Sequence, residues 1–137
     1  MGGNEIRSVL FSMMGLLLAA CASDANKEPD PNIFPAAYKQ EILDLLAGTL
    51  PDPTNVHDAF VSEPVLATVG KEPRYTICLR YNARDVYRQY SGSQDRLGIF
   101  YAGHLNQLIE AGKDQCAKAA YRPFPELEKL CFAKKCE

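Results

Sequence analysis

Nine residues, Arg74 to Asn82 (RYTICLRYN), alternate so strictly that they constrain the rest of the fold. Tyr75, Ile77, Leu79 and Tyr81 share one face, and Thr76, Cys78, Arg80 and Asn82 share the other. A strand of this kind has an apolar face to cover and a cysteine on its back. It therefore requires a packed layer on one side and a segment able to reach Cys78 on the other.

The chain begins with a weakly positive stretch containing Arg7, followed by an apolar run from Val9 to Leu18. That run has the length of a signal-peptide core and is too short to span a bilayer of about 30 Å as a helix. It closes on Leu18-Ala19-Ala20-Cys21. These four residues resemble the lipobox of bacterial lipoproteins, and the mature region is similar to small outer-membrane lipoproteins of alphaproteobacteria. The resemblance implies cleavage before Cys21, diacylglycerol on its sulfur and a further acyl (palmitate-type) chain on the new amino group. Two or more chains suffice for stable anchoring, at about 0.8 kcal/mol per buried CH₂. Ala22 follows Cys21. The resemblance reads the absence of aspartate there as outer-membrane placement, with the domain facing the periplasm. The expected organisation is a signal peptide over 1–20, an acylated cysteine and flexible tether over 21–34, and a single small domain over 35–137.

Loss of residues 1–20 would leave 117 of the 137 residues and would remove one acidic and one basic side chain, keeping the net charge at −2. So balanced a chain offers no electrostatic reason to bind nucleic acid. Four cysteines remain beside Cys21: Cys78, Cys116, Cys131 and Cys136. An even number in an exported chain reads as two disulfides with three possible connectivities. The favoured pairing is Cys78–Cys116 with Cys131–Cys136. The first would fasten the C-terminal segment to the alternating strand, and the second lies in a lysine-rich tail. Close Cys or His pairs of zinc-site spacing do not occur, so neither a metal nor another cofactor is expected.

Ala22 to Phe34 is polar, holds Pro29 and Pro31, and reads as a tether with a root-mean-square span of about 20 Å. Pro35 to Ala47 reads as a helix, with Tyr38, Ile42, Leu45 and Leu46 on one stripe and Gly48 at its end. Pro51 to Thr54 reads as a turn. Val56 to Glu63 reads as a strand ended by Pro64, with Val65 to Val69 extending it after a break and Gly70 to Pro73 turning the chain. Ala83 to Asp95 reads as a long loop. Arg96 to Tyr101 and His104 to Ile109 read as a hairpin, with Gly103 giving the positive φ of a bulge-type turn. Helical spacing over 104–111 competes with that hairpin. Short helical turns are expected over Gln115 to Tyr121 and Glu126 to Phe132. The architecture expected is α+β: an N-terminal helix packed on a three- or four-stranded antiparallel sheet, with a disulfide-fastened C-terminal extension.

No arrangement of residues predicts catalysis. His57 and His104 lack companions at ligand spacing. Ser91-Gly92-Ser93 lacks the strand–turn–helix setting of a nucleophile elbow. No phosphate-binding glycine motif or C-x-x-C pair occurs. The most suggestive stretch is Arg80 to Tyr90 (RYNARDVYRQY), where Arg80, Arg84, Tyr87, Arg88 and Tyr90 form a candidate binding patch. Tyrosine rings stack on sugar or peptide faces, and guanidinium groups pair with carboxylates. The expectation is a non-enzymatic, lipid-anchored envelope protein with a binding or scaffolding role toward envelope proteins or peptidoglycan. The alternative is a periplasmic inhibitor or ligand-binding module, for example against a cell-wall hydrolase.

Overall fold

The structure, a computed structural model, describes residues 27–130. Cys21, the signal segment, Cys131 and Cys136 lie outside the described residues. The chain forms α1 (Tyr38–Thr49), β1 (Asp52–Val61), β2 (Val65–Val69), β3 (Glu72–Arg84), β4 (Gln94–Tyr101), β5 (His104–Glu110), β6 (Arg122–Pro123) and α2 (Pro125–Glu128). No described helix is long and apolar enough to cross a membrane.

Among the described residues the sheet has six strands, not three or four, and its main order is β5-β4-β3-β1-β6. All five pairings are antiparallel. Thr76 pairs with Val65 on one edge and with Ile99 on the other, so β2 lies on the same side of β3 as β1. β1 and β2 are thus one long run broken at Ser62-Glu63-Pro64, where the register against β3 slips by one residue. Ser62 bridges the slip. Its amide donates to the Cys78 carbonyl (2.8 Å), and its buried hydroxyl accepts from the Cys78 amide (2.8 Å). A side chain thereby supplies the ladder bond that the bulged backbone cannot make.

The alternation of β3 works as its sequence requires. Ile77 and Leu79 enter a core with Ile42 and Leu46 of α1, Val56, Ala59 and Val61 of β1, and Phe100 of β4; Tyr75 and Tyr81 pack at its margin. Gly98 lies opposite Ile77, and a Cβ there would stand 2.9 Å from the Ile77 side chain. Its absence lets Ile77 lie across β4. On the opposite face Cys78, Leu97, Ile99 and Cys116 form a second, smaller core, flanked by Ala111, Ala119 and Tyr121. The Cys78–Cys116 disulfide, with Cα atoms 5.7 Å apart, holds residues 111–121 over that face.

Several expectations are corrected. The turn predicted over 51–54 is already strand: the Asp52 side chain takes the amide and hydroxyl of Thr54, Asp52 pairs with Arg84, and Pro53 sits in an irregular stretch where it owes no ladder bond. β3 and β4 run longer than predicted and confine the loop to 85–93. The β4–β5 hairpin forms in place of the competing helix. Its turn is the two-residue kind, with Ala102 (φ 50°) and Gly103 (φ 85°) both in the left-handed region; the bulge falls at Ile99/Phe100 instead. Residues 113–118 make consecutive turns and no helix. Arg122-Pro123, between the two expected helical turns, is a strand on the outer edge of β1. Within the described residues α2 is a single turn over Pro125–Glu128, in which Glu128 accepts the Ala59 amide (3.0 Å); residues 131 and 132 of the predicted helix lie outside them.

Residues 28–34, expected as part of the tether, lie against the sheet. Ala102 donates to the Pro31 carbonyl (3.0 Å), Tyr101 donates to Glu28 (3.3 Å), and the Phe34 ring meets Tyr75 edge-on at 5.4 Å. The left-handed turn at 102–103 presents the amide that captures Pro31.

Closing a loop of 38 residues is worth about 4 kcal/mol in the chain-entropy model. Replacing Cys78 and Cys116 together by serine is expected to lower unfolding free energy by about 2–4 kcal/mol. Urea titration of both proteins, with and without reductant, measures it; only the wild type responds to reductant by that amount.

Candidate binding site

The structure brings part of the predicted patch together: Arg84 forms a β-bridge with Tyr90 and lines one pocket with Arg88, while Arg80 is engaged elsewhere. Arg80 lies on the Cys78 face, where Nε and Nη2 donate to the two Asp95 oxygens at 2.7 and 3.0 Å. The Tyr121 hydroxyl donates to the same carboxylate (2.8 Å), and its ring stacks beneath the guanidinium at 4.5 Å. The β3–β4 register sets Arg80 opposite Asp95, and the disulfide delivers Tyr121. Arg84 pairs with Asp52 at 2.5 Å. Both arginines are therefore engaged in holding the fold.

Tyr87, Arg88 and Tyr90 lie in the 85–93 loop, which is built rather than slack. The Asp85 carboxylate accepts the amides of Tyr87 (2.8 Å) and Gln89 (3.0 Å), and Arg88 adopts a left-handed φ of 61°. Val86 and Tyr87 project outward, 73% and 80% exposed. Tyr90 folds back, donating to the Asn55 carbonyl (2.7 Å) and packing edge-on against His57. His104 sits at the opposite edge, 2.9 Å from Glu41 of α1, so the histidines do not converge. Among the described residues no group of three His, Cys, Asp or Glu side chains is placed to hold a metal ion.

Sequence reasoning missed a groove. It lies on the Cys78 face beside β2 and encloses about 400 Å³. Val65 and Ala67 of β2 and Thr76 and Cys78 of β3 make one wall and the floor; Gln115, Lys118, Ala119 and Ala120 make the other wall; Ser62, Glu63 and Arg122 close the end. The floor is apolar, while Lys118, Glu63 and Arg122 supply both charge signs at the rim. Glu63 and Arg122 meet there at 3.4 Å. The Ser62 hydroxyl is committed to the Cys78 amide. Such a lining can desolvate an apolar group and orient it by polar contacts at the rim. Its only sequence signal is the uncharged run Val65 to Val69, which alone does not reveal that the stapled segment stops short of covering it.

The wall of the groove depends on the Arg80–Asp95–Tyr121 cluster. Hydrogen bonds from Arg80, assisted by the Tyr121 hydroxyl, hold the Asp95 carboxyl below the usual carboxylate range. Burial, followed by the Asp95 hydrogen bond, raises the Tyr121 hydroxyl. A carboxyl with a lowered folded pKa contributes stability above its unfolded value near 4 and loses it as pH falls through the folded value. Asp95→Asn is therefore expected to cost about 1 kcal/mol at pH 7, modest because Arg80 is partly exposed. The gap from wild type should narrow as pH falls below the unfolded value and the Asp95 carboxyl takes up its proton. Urea midpoints measured across this range test the sign; a gap constant with pH would contradict it.

No family model, curated protein or solved structure matches this chain.

Proposed function

We propose that the chain is a lipid-anchored binding or scaffolding protein of the outer membrane, held through acylated Cys21 and facing the periplasm, where it contacts envelope proteins or peptidoglycan. The lipobox residues Leu18-Ala19-Ala20-Cys21 support the location. The observation that carries the binding role is the open apolar groove between β2 and the stapled 115–120 segment, with charges of both signs at its rim. The disulfide supports an oxidising compartment. A surface already fixed by a covalent staple and a hydrogen-bonded cluster loses little conformational freedom on binding.

The test has two arms. Cys21→Ala is expected to stop processing and to abolish tight membrane attachment, read by fractionation and intact mass; normal processing would refute the anchor. Ala120→Trp, at an exposed position of the groove wall, is expected to leave the melting temperature unchanged while reducing capture of cross-linked envelope neighbours about tenfold, the loss of one good apolar contact. Equal capture by both proteins would remove the groove from the proposal.

A second reading, a periplasmic inhibitor acting on a cell-wall hydrolase, is favoured by the loop that Asp85 organises. Rigid presentation of Val86 and Tyr87 suits insertion into an enzyme cleft. It predicts that the chain blocks a muramidase and that Tyr87→Ala weakens the block by about tenfold or more, as loss of an aromatic anchor does. No inhibition across a panel of such hydrolases would remove this reading.

A further inference from the structure

β2 pairs only with β3, so no described strand pairs with its outer edge. The β5 edge is partly closed by α1, where Glu41 accepts the Leu105 amide (2.5 Å). The β1 edge is closed at Phe60 and Val61 by β6, and Ala59 beside them bonds Phe124 and Glu128. Along β2, Val65 and Leu66 are 57% and 55% exposed, one on each face. Val65-Leu66-Ala67-Thr68-Val69 holds no charge and no proline. A bare edge of this composition pairs with another strand unless something prevents it.

The register determines which backbone groups are offered. Gly70-Lys71 forms a two-residue turn closed by Val69↔Glu72, and the closing pair of such a hairpin is hydrogen-bonded. Alternation then turns the amides and carbonyls of Val69, Ala67 and Val65 toward β3 and those of Leu66 and Thr68 outward. Pro73 stands opposite Thr68, where no amide is called for, and agrees with this assignment.

We propose that β2 pairs antiparallel with β2 of a second copy of this chain, about a two-fold axis through Ala67. In that register Leu66 of each copy meets Thr68 of the other, so the outward amides and carbonyls satisfy one another in four hydrogen bonds. Continued past the strand ends, the same register brings Glu63 of each copy, in the break before β2, toward Lys71 of the other, in the turn after it. Both side chains are exposed, and Glu63 meets the exposed Arg122 at 3.4 Å. The charges flanking an uncharged strand are thus complementary to themselves under the symmetry a homodimer requires. Val65 and Val69 of the two copies pack side by side and lengthen the groove wall. A five-residue ladder is weak in dilute solution, whereas chains confined to one bilayer meet at high effective concentration. This names an occupant for the binding face and rests on the lipid-anchored reading only for that last step.

The test uses the full chain, lipidated in phosphatidylethanolamine–phosphatidylglycerol vesicles and, separately, as the Cys21→Ala form at high concentration in solution. Ala67→Cys places two thiols across the axis in a non-hydrogen-bonded pair, close enough to join. Mild oxidation is expected to give at least about tenfold more covalent dimer than the unsubstituted chain. Val69→Cys, whose copies stand about 13 Å apart in this register, should give none above that background. Glu63→Lys and Lys71→Glu should each lower the Ala67→Cys dimer yield about fivefold, and the two together should restore it. Equal cross-linking at 67 and 69, or no recovery in the double reversal, would overturn the pairing. So would capture of a different envelope protein by Ala67→Cys in place of a second copy. Because the solution arm does not use the anchor, failure of the pairing and failure of the lipid attachment are read apart.

Discussion

β3 buries Ile77 and Leu79 on one face and Cys78 on the other, and the remaining structure is arranged to satisfy both at once. A strand with one apolar face could rest on α1 and leave its back in water. The back of β3 instead carries a half-cystine, a buried threonine and an arginine, and each needs a partner. Cys116 supplies the first by a covalent bond, Val65 accepts the Thr76 hydroxyl at 3.4 Å, and Asp95 supplies the third with Tyr121 stacked beneath it. The staple alone would tether residues 111–121 at one point. The cation, carboxylate and phenol give that segment a second point, and two points define how it lies.

From there the chain crosses the sheet edge. β6 adds two residues to β1, and Phe124 and Leu127 then drop into the core beneath α1, both fully buried. One continuous segment therefore closes the smaller core, caps an edge and completes the larger core. Burying a phenylalanine and a leucine contributes about 1.5–3 kcal/mol each. The C-terminal extension is consequently part of the domain and not an appendage to it.

Edge management separates structure from function here. Glu41 and β6 occupy two edges, while the break at Ser62-Glu63-Pro64 carries β2 past the end of β6 and leaves its outer side open beside the groove. The same one-residue slip that Ser62 repairs thus leaves an open groove beside β2. Arg80 and Arg84, which in the sequence look like recognition residues, are used to hold the back face and the start of β1; the surfaces left open are β2, the groove and the Asp85-built loop.

The sequence alone determined what depends on periodicity and on local turn chemistry. The facing of Tyr75, Ile77, Leu79 and Tyr81, the helix after Pro35, the hairpin at Gly103 and the Cys78–Cys116 pairing were legible because side-chain alternation, proline and glycine act over a few residues, and an even number of cysteines limits pairing. Tertiary structure decided what depends on distant partners. Arg122-Pro123 is a strand only because Phe60 and Val61 offer an edge. Pro53 lies within a strand because Asp52 reaches Thr54 and Arg84. Residues 28–34 are docked because the turn at Ala102-Gly103 exposes an amide to Pro31. Whether an arginine binds a ligand or a neighbouring aspartate, and whether an apolar strand is covered or bare, are likewise settled by residues remote in the chain. No short window of sequence contains both members of such a pair.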